Sequence, residues 1–213
     1  MKSLMKKEGF NSILVVLPFI YLAYIYGELP AEVPMHWNAS GEVDRMGSKA
    51  ELWMIPFLLP VLTYVLLLAV PALDPKKKIE KMGGKFESLK TMLVTFLSIL
   101  ALYIIYTASN PAGMRLSVVV IFIGLLFMGL GNFFKTIQPN YFLGIRTPWT
   151  LESETVWKST HRLAGILWLV GGLSMVMMGL FADGTPILVW TVLVVVVVSL
   201  VPMGYSWMTF KKE

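Results

Sequence analysis

Residues 187–209, ILVWTVLVVVVVSLVPMGYSWMT, decide the fold class. The run is uncharged, and at about 1.5 Å of helical rise per residue it is long enough to cross about 30 Å of hydrocarbon. Five similar runs precede it, at about 10–27, 52–72, 91–109, 116–134 and 163–182. Over 213 residues the chain is 56% hydrophobic and 15% charged, whereas soluble domains carry about a quarter charged residues. The composition predicts an all-α integral membrane protein, a bundle of six transmembrane helices forming a single polytopic domain over 1–213. Lys2, Lys6 and Lys7 precede the first run as in a signal peptide. Its exit, Tyr24-Ile25-Tyr26-Gly27-Glu28-Leu29-Pro30, offers no small-residue cleavage site, so this helix is expected to stay.

The net charge of +5 is unevenly placed. Lys2, Lys6 and Lys7 lie at the N-terminus, Lys76, Lys77, Lys78, Lys81, Lys85 and Lys90 after the second run, and Lys135, Arg146, Lys158 and Arg162 after the fourth. Lys211 and Lys212 close the chain, while Arg45, Lys49 and Arg115 are all that the other loops hold. The positive-inside rule then puts both termini in the cytoplasm, with a long outer loop over about 28–51 and inner loops over about 73–90 and 135–162. The basic balance is thus explained by topology, and no direct nucleic-acid binding is expected. Lys76-Lys77-Lys78 faces anionic headgroups in this reading, which makes membrane lipid the first partner. Without cysteine the chain has no disulfide, thiolate nucleophile or thiolate metal site.

Pro18, Pro56, Pro60 and Pro202 fall inside the runs, where each removes a backbone hydrogen bond whose carbonyl a neighbour must satisfy. Gly165, Gly172 and Gly179 recur every seven residues and mark one face of the fifth helix for close packing. Gly83-Gly84 suggests a hinge, and Asn110-Pro111 and Asp183-Gly184 make tight outer turns. Within the six runs as bounded here there is no Asp, Glu, Lys, Arg or His, which argues against an ion-coupled pump.

In the outer loop, Val33, Met35 and Trp37 alternate with Pro34 and His36, as in a short strand, and Asn38-Ala39-Ser40-Gly41 is turn chemistry. His36 is expected to face Glu32, Glu42 or Asp44, as a hydrogen-bonded structural histidine or a pH-responsive or metal-binding one. His161 lies on the opposite side of the membrane by this topology, so the two histidines cannot share a metal or form a catalytic dyad.

The inner signature loop, about 131–162, is rich in turn and amide residues. Asn132 is placed to tie two helices together, Gln138-Pro139-Asn140 to turn, and Thr147-Pro148 to start a helix, with Ser153-Glu154 as an alternative start. A helix from Glu154 sets Glu154, Trp157, Lys158 and His161 on neighbouring faces, with Glu154 and Lys158 paired. Arg146 either holds a carboxylate or phosphate with its fork or, together with Trp149 and Trp157, anchors the loop at the interface.

Two of these segments resemble known families. Leu29-Pro30, Val33-Pro34, His36-Trp37-Asn38, Gly41 and Asp44 are similar to the signature of an N-terminal domain of unknown function in bacterial and archaeal membrane proteins. Gly131-Asn132, Pro139-Asn140, Gly144-Ile145-Arg146-Thr147-Pro148-Trp149-Thr150, Glu154-Thr155-Val156-Trp157 and His161-Arg162 resemble the second signature of the SdpI family. The resemblance implies a multi-pass cell-membrane protein that protects its own cell from a secreted peptide toxin. It further implies a cytoplasmic transcriptional repressor held at the membrane when toxin is present. With no recognised nucleophile–base spacing in the chain, no enzyme activity, cofactor or metal is expected. The candidate partner- or ligand-binding residues are Asn132, Asn140, Arg146, Thr147, Trp149, Glu154, Trp157 and His161, with His36, Trp37, Asn38 and Asp44 as an outer-loop motif. Two other function classes compete with it: a small-molecule or lipid transporter using the kinked helices, and a headgroup enzyme using Glu152, Glu154 and His161.

Overall fold

A computed structural model describes residues 2–38, 40–182 and 184–213, with side chains from residue 7 onward. Ala39 and Asp183, both given turn roles above, lie outside the described residues, as do the side chains of Lys2 and Lys6. Helix α1 runs Lys2–Ile25, followed by a hairpin of β1 (Glu32–Trp37) and β2 (Val43–Ser48). The helical stretch α2 covers Lys49–Leu73, α3 Lys78–Met82, α4 Gly84–Ser109 and α5 Leu116–Phe134. Helices α6 (Pro148–Glu152), α7 (Glu154–Phe181) and α8 (Thr185–Phe210) complete the chain. Six of these helices, α1, α2, α4, α5, α7 and α8, are long and apolar enough to cross a membrane.

Valine-rich α8 illustrates why lipid decides the secondary structure. In water the run of valines would favour a strand, but in hydrocarbon each backbone N–H and C=O must be satisfied within the segment, and a helix does that. Ile187, Val194, Val198, Pro202 and Ser206 form its buried stripe, while Val189, Val192, Leu193, Val196 and Leu200 are exposed, as lipid-facing side chains are.

The chain folds into two compact units, one of Met1–Leu68 with Lys90–Leu116, the other of Ala69–Leu89 with Ser117–Glu213. In the first unit the hairpin is seated on helix ends: Val33 joins Leu22, Leu29, Leu52, Ile105 and Ala108 in one core, with Met35, Tyr26 and Trp53 packed against it. An all-α description therefore misses one antiparallel pair, β1–β2. Helix α2 opens as a 3-10 turn over Lys49–Trp53, continues as α-helix over Met54–Pro56, and widens to a π-turn over Phe57–Val61 around Pro60. Changing the turn width is how a helix absorbs prolines that lack an N–H.

The second unit repairs its proline differently. Pro202 frees the carbonyl of Val198, four residues earlier, and the Trp168 indole N–H donates to it at 3.0 Å. The glycine face of α7 packs against α5 as anticipated. A methyl group on Gly172 would lie 2.4 Å from the Gly124 carbonyl oxygen, and one on Gly165 2.8 Å from that of Gly131.

Helix ends depart from the sequence boundaries. Helices α1 and α4 extend beyond their apolar runs to include Glu8 and Lys90, so the spans do contain ionisable groups. The Lys90 ammonium, whose side chain is 3% exposed, forms an ion pair with Glu8, whose other oxygen accepts from the Tyr64 hydroxyl at 2.7 Å. The runs as bounded hold no charge, but the helices are longer than the runs: hydropathy falls where the charges begin, the helices continue, and partnering makes the charges tolerable.

Candidate functional site

The loop between α5 and α7 is built from side chains that bind its own backbone. Asn140, buried, accepts at Oδ1 from the N–H groups of Phe142 (2.8 Å) and Leu143 (2.7 Å), and its Nδ2 donates to the carbonyls of Gln138 (2.8 Å) and Leu143 (3.1 Å). Thr147 caps α6: its hydroxyl accepts from Thr150 N at 3.2 Å, while Thr150 Oγ1 accepts from Thr147 N at 2.9 Å. Thr150 also donates to the Ile145 carbonyl at 2.9 Å, and Thr147 shares a hydrogen bond with Ser206 of α8 at 3.0 Å. Ser153 then caps α7, so both starts read from the sequence are used.

His161 closes this network. Its Nε2 lies 2.9 Å from the N–H of Ile145 and its Nδ1 2.8 Å from the Trp157 carbonyl. Trp157 stacks on the imidazole with centroids 4.1 Å apart, and its indole donates to the Ile137 carbonyl at 3.1 Å. Phe134 meets the imidazole edge-on at 5.8 Å. Gly144 passes this ring at φ +98, where an added methyl group would stand 2.4 Å from Nε2.

The remaining expected site residues fall elsewhere. Arg146 is exposed, its Nη1 donating to the Tyr141 carbonyl. Glu154 and Lys158 pair at 2.9 Å on the exposed face of α7, and Trp149 is half-buried on α6. Asn132 was expected to tie two helices, but it is exposed and makes no side-chain hydrogen bond among the described residues; the close α5–α7 packing comes from the glycine seam instead. Three contributors were not singled out from sequence. Thr150 could have been found from the capping-box spacing to Thr147. Ser206 and Tyr141 carried no local signal.

On the hairpin, His36 Nδ1 lies 2.6 Å from Asp44. Asn38 shapes the turn by accepting from the N–H groups of Ser40 (2.9 Å) and Glu42 (3.0 Å), and Gly41 completes it at φ +79. Trp37 is half-buried at the end of β1. Among the described residues no three His, Cys, Asp or Glu side chains form a group able to hold a metal.

Comparison with known proteins agrees with both segments. The SdpI/YfhL protein family model matches residues 136–206, and that of a domain of unknown function (DUF1648) matches residues 13–59. The chain is 25% identical over 208 residues to the immunity protein SdpI of Bacillus subtilis, covering 98% of each chain. It is 36% identical over 58 residues to an uncharacterized protein of Archaeoglobus fulgidus, covering 27% of this chain and 32% of that one. No solved structure matches it. The six helices, the two matched segments and the end-to-end similarity agree: this is a multi-pass cell-membrane protein that resembles the SdpI/YfhL family over residues 136–206 and the immunity protein SdpI along nearly its whole length.

Proposed function

We propose that the protein defends its own cell against a secreted antimicrobial peptide, acting by binding without turnover. Similarity along almost the entire length to a protein named for immunity supports a membrane immunity role. In this reading both termini and the 131–162 loop are cytoplasmic, and the loop holds a transcriptional repressor at the membrane when the peptide is present. The observation that carries a binding role is the division of labour in that loop. Asn140, Thr147, Thr150, Trp157 and His161 are spent on its backbone, which leaves the exposed Arg146 as the group presented to an anion. With both ring nitrogens engaged, His161 is not free to serve Glu152 or Glu154 as a general base.

Arg146→Lys tests the proposal, because lysine keeps the positive charge but cannot reproduce the planar fork. Cells carrying this variant at normal membrane abundance should lose protection from the peptide. Full survival, with only Arg146→Ala lowering abundance, would make Arg146 a topological anchor. The second reading, a small-molecule or lipid transporter, gains no support from the Glu8–Lys90 pair, which lies where hydropathy falls at the ends of the apolar runs and not at membrane depth.

A further inference from the structure

We propose that Lys76, Arg146 and Tyr141 form a binding site for the phosphate of an acidic phospholipid headgroup. The assignment rests on the reading of Arg146 as the anion-binding residue of the loop and names the anion. Two loops of the second unit converge on one residue, Tyr141. In the first, buried Asp74 accepts from the N–H groups of Lys76 (3.2 Å) and Ile79 (2.8 Å), and Lys77 turns the chain at φ +51. This fixes Lys76 with its ammonium 5.0 Å from the centroid of the Tyr141 ring. In the second loop, Asn140 pins the chain on either side of Tyr141, and Arg146 donates to the Tyr141 carbonyl. One exposed tyrosine thus carries an ammonium on its ring and a guanidinium on its backbone.

Among the described residues neither cation is paired with a carboxylate. Asp74 is spent on backbone N–H groups, and Glu154 on Lys158. Two positive charges gathered on one residue repel each other, and an anion between them removes that cost. A guanidinium has five N–H donors, of which the Tyr141 carbonyl engages one nitrogen's, and an ammonium has three, so phosphate oxygens find several charge-assisted donors here. The position selects the lipid as the source. Lys76 lies three residues beyond the end of α2, at exposed Leu73, and Tyr141 seven beyond the end of α5. Both belong to the headgroup layer, where tyrosine and lysine are at home.

The test is native mass spectrometry of the protein extracted from vesicles of phosphatidylcholine with a quarter phosphatidylglycerol. Wild type should retain phosphatidylglycerol preferentially, and Lys76→Gln with Arg146→Gln should lose that preference roughly tenfold, because the charge-assisted contacts are gone. Lys85→Gln, at an exposed lysine outside the convergence, should behave as wild type. An unchanged preference in the double variant, or an equal loss in Lys85→Gln, would overturn the site. Displacement of the lipid by inorganic phosphate would identify a soluble anion as the occupant and overturn the lipid assignment. Both substituted side chains are exposed, and unchanged helical circular dichroism would show that the double variant is folded. No peptide is present in this measurement, so its failure is separable from failure of the immunity reading, which survival assays decide.

Discussion

The hydrogen of Ile145 N points at Nε2 of His161, so that nitrogen must be an acceptor and the proton must sit on Nδ1, facing the Trp157 carbonyl. The loop is therefore built around a neutral imidazole, and Gly144 is the residue that lets the backbone reach it. An alanine at 144 would need φ +98 and would place its methyl group against the ring. Gly144→Ala should cost about 1–3 kcal/mol, as residues forced into sparsely populated backbone regions do. A thermal unfolding midpoint in detergent equal to wild type would contradict a loop locked at this point. The sequence made His161 and Trp157 legible as members of the site but not their roles. Their partners are the backbone groups of Ile145 and Ile137, sixteen and twenty residues away, and backbone groups leave no mark in a sequence. Arg146 was more readable, because its exposed fork is defined by its own chemistry.

Helices were legible to the extent that lipid enforces them. The six apolar runs all become helices, because hydrocarbon leaves the backbone no alternative partner. Their ends were harder to read, since a helix continues through charged residues that hydropathy counts as loop. Glu8 and Lys90 belong to this hidden part, and they give the element-level prediction. Glu8→Gln removes one carboxylate partner of a lysine whose side chain is 3% exposed, and losing a partner of such a half-buried pair should cost up to about 3 kcal/mol. Adding Lys90→Met should recover at least half of that loss, since an apolar replacement of both partners is often close to neutral. A double-mutant cycle on thermal unfolding in detergent measures this directly. If the double variant is less stable than Glu8→Gln alone, the pair is not what joins α1 to α4.

At the scale of the whole molecule, charge carries the expectation that packing leaves open, namely which loops face the cytoplasm. In the second unit the 74–79 segment, the 135–153 loop and the C-terminus come together, through Lys76 on Tyr141 and Ser153 bonded to Glu213 at 2.9 Å. In the first unit the cations of the hairpin and the adjoining start of α2 are spent locally: Arg45 pairs with Glu51, and Lys49 donates to the carbonyls of Tyr26 and Leu29. The basic clusters thus fall in the segments that do not carry the hairpin, and the positive-inside rule predicts that those segments are cytoplasmic. The chain has no cysteine, so single cysteines report orientation cleanly. Ser40, exposed in the hairpin turn, and Thr155, exposed in the first turn of α7, are suitable positions; Ser153 is not, because it caps α7. An impermeant thiol reagent should label Ser40→Cys in intact cells and Thr155→Cys only after permeabilisation. The reverse pattern would place the Arg146 loop outside the cell. A cytoplasmic repressor could then not reach it, and any anion at Tyr141 would have to come from the outer leaflet.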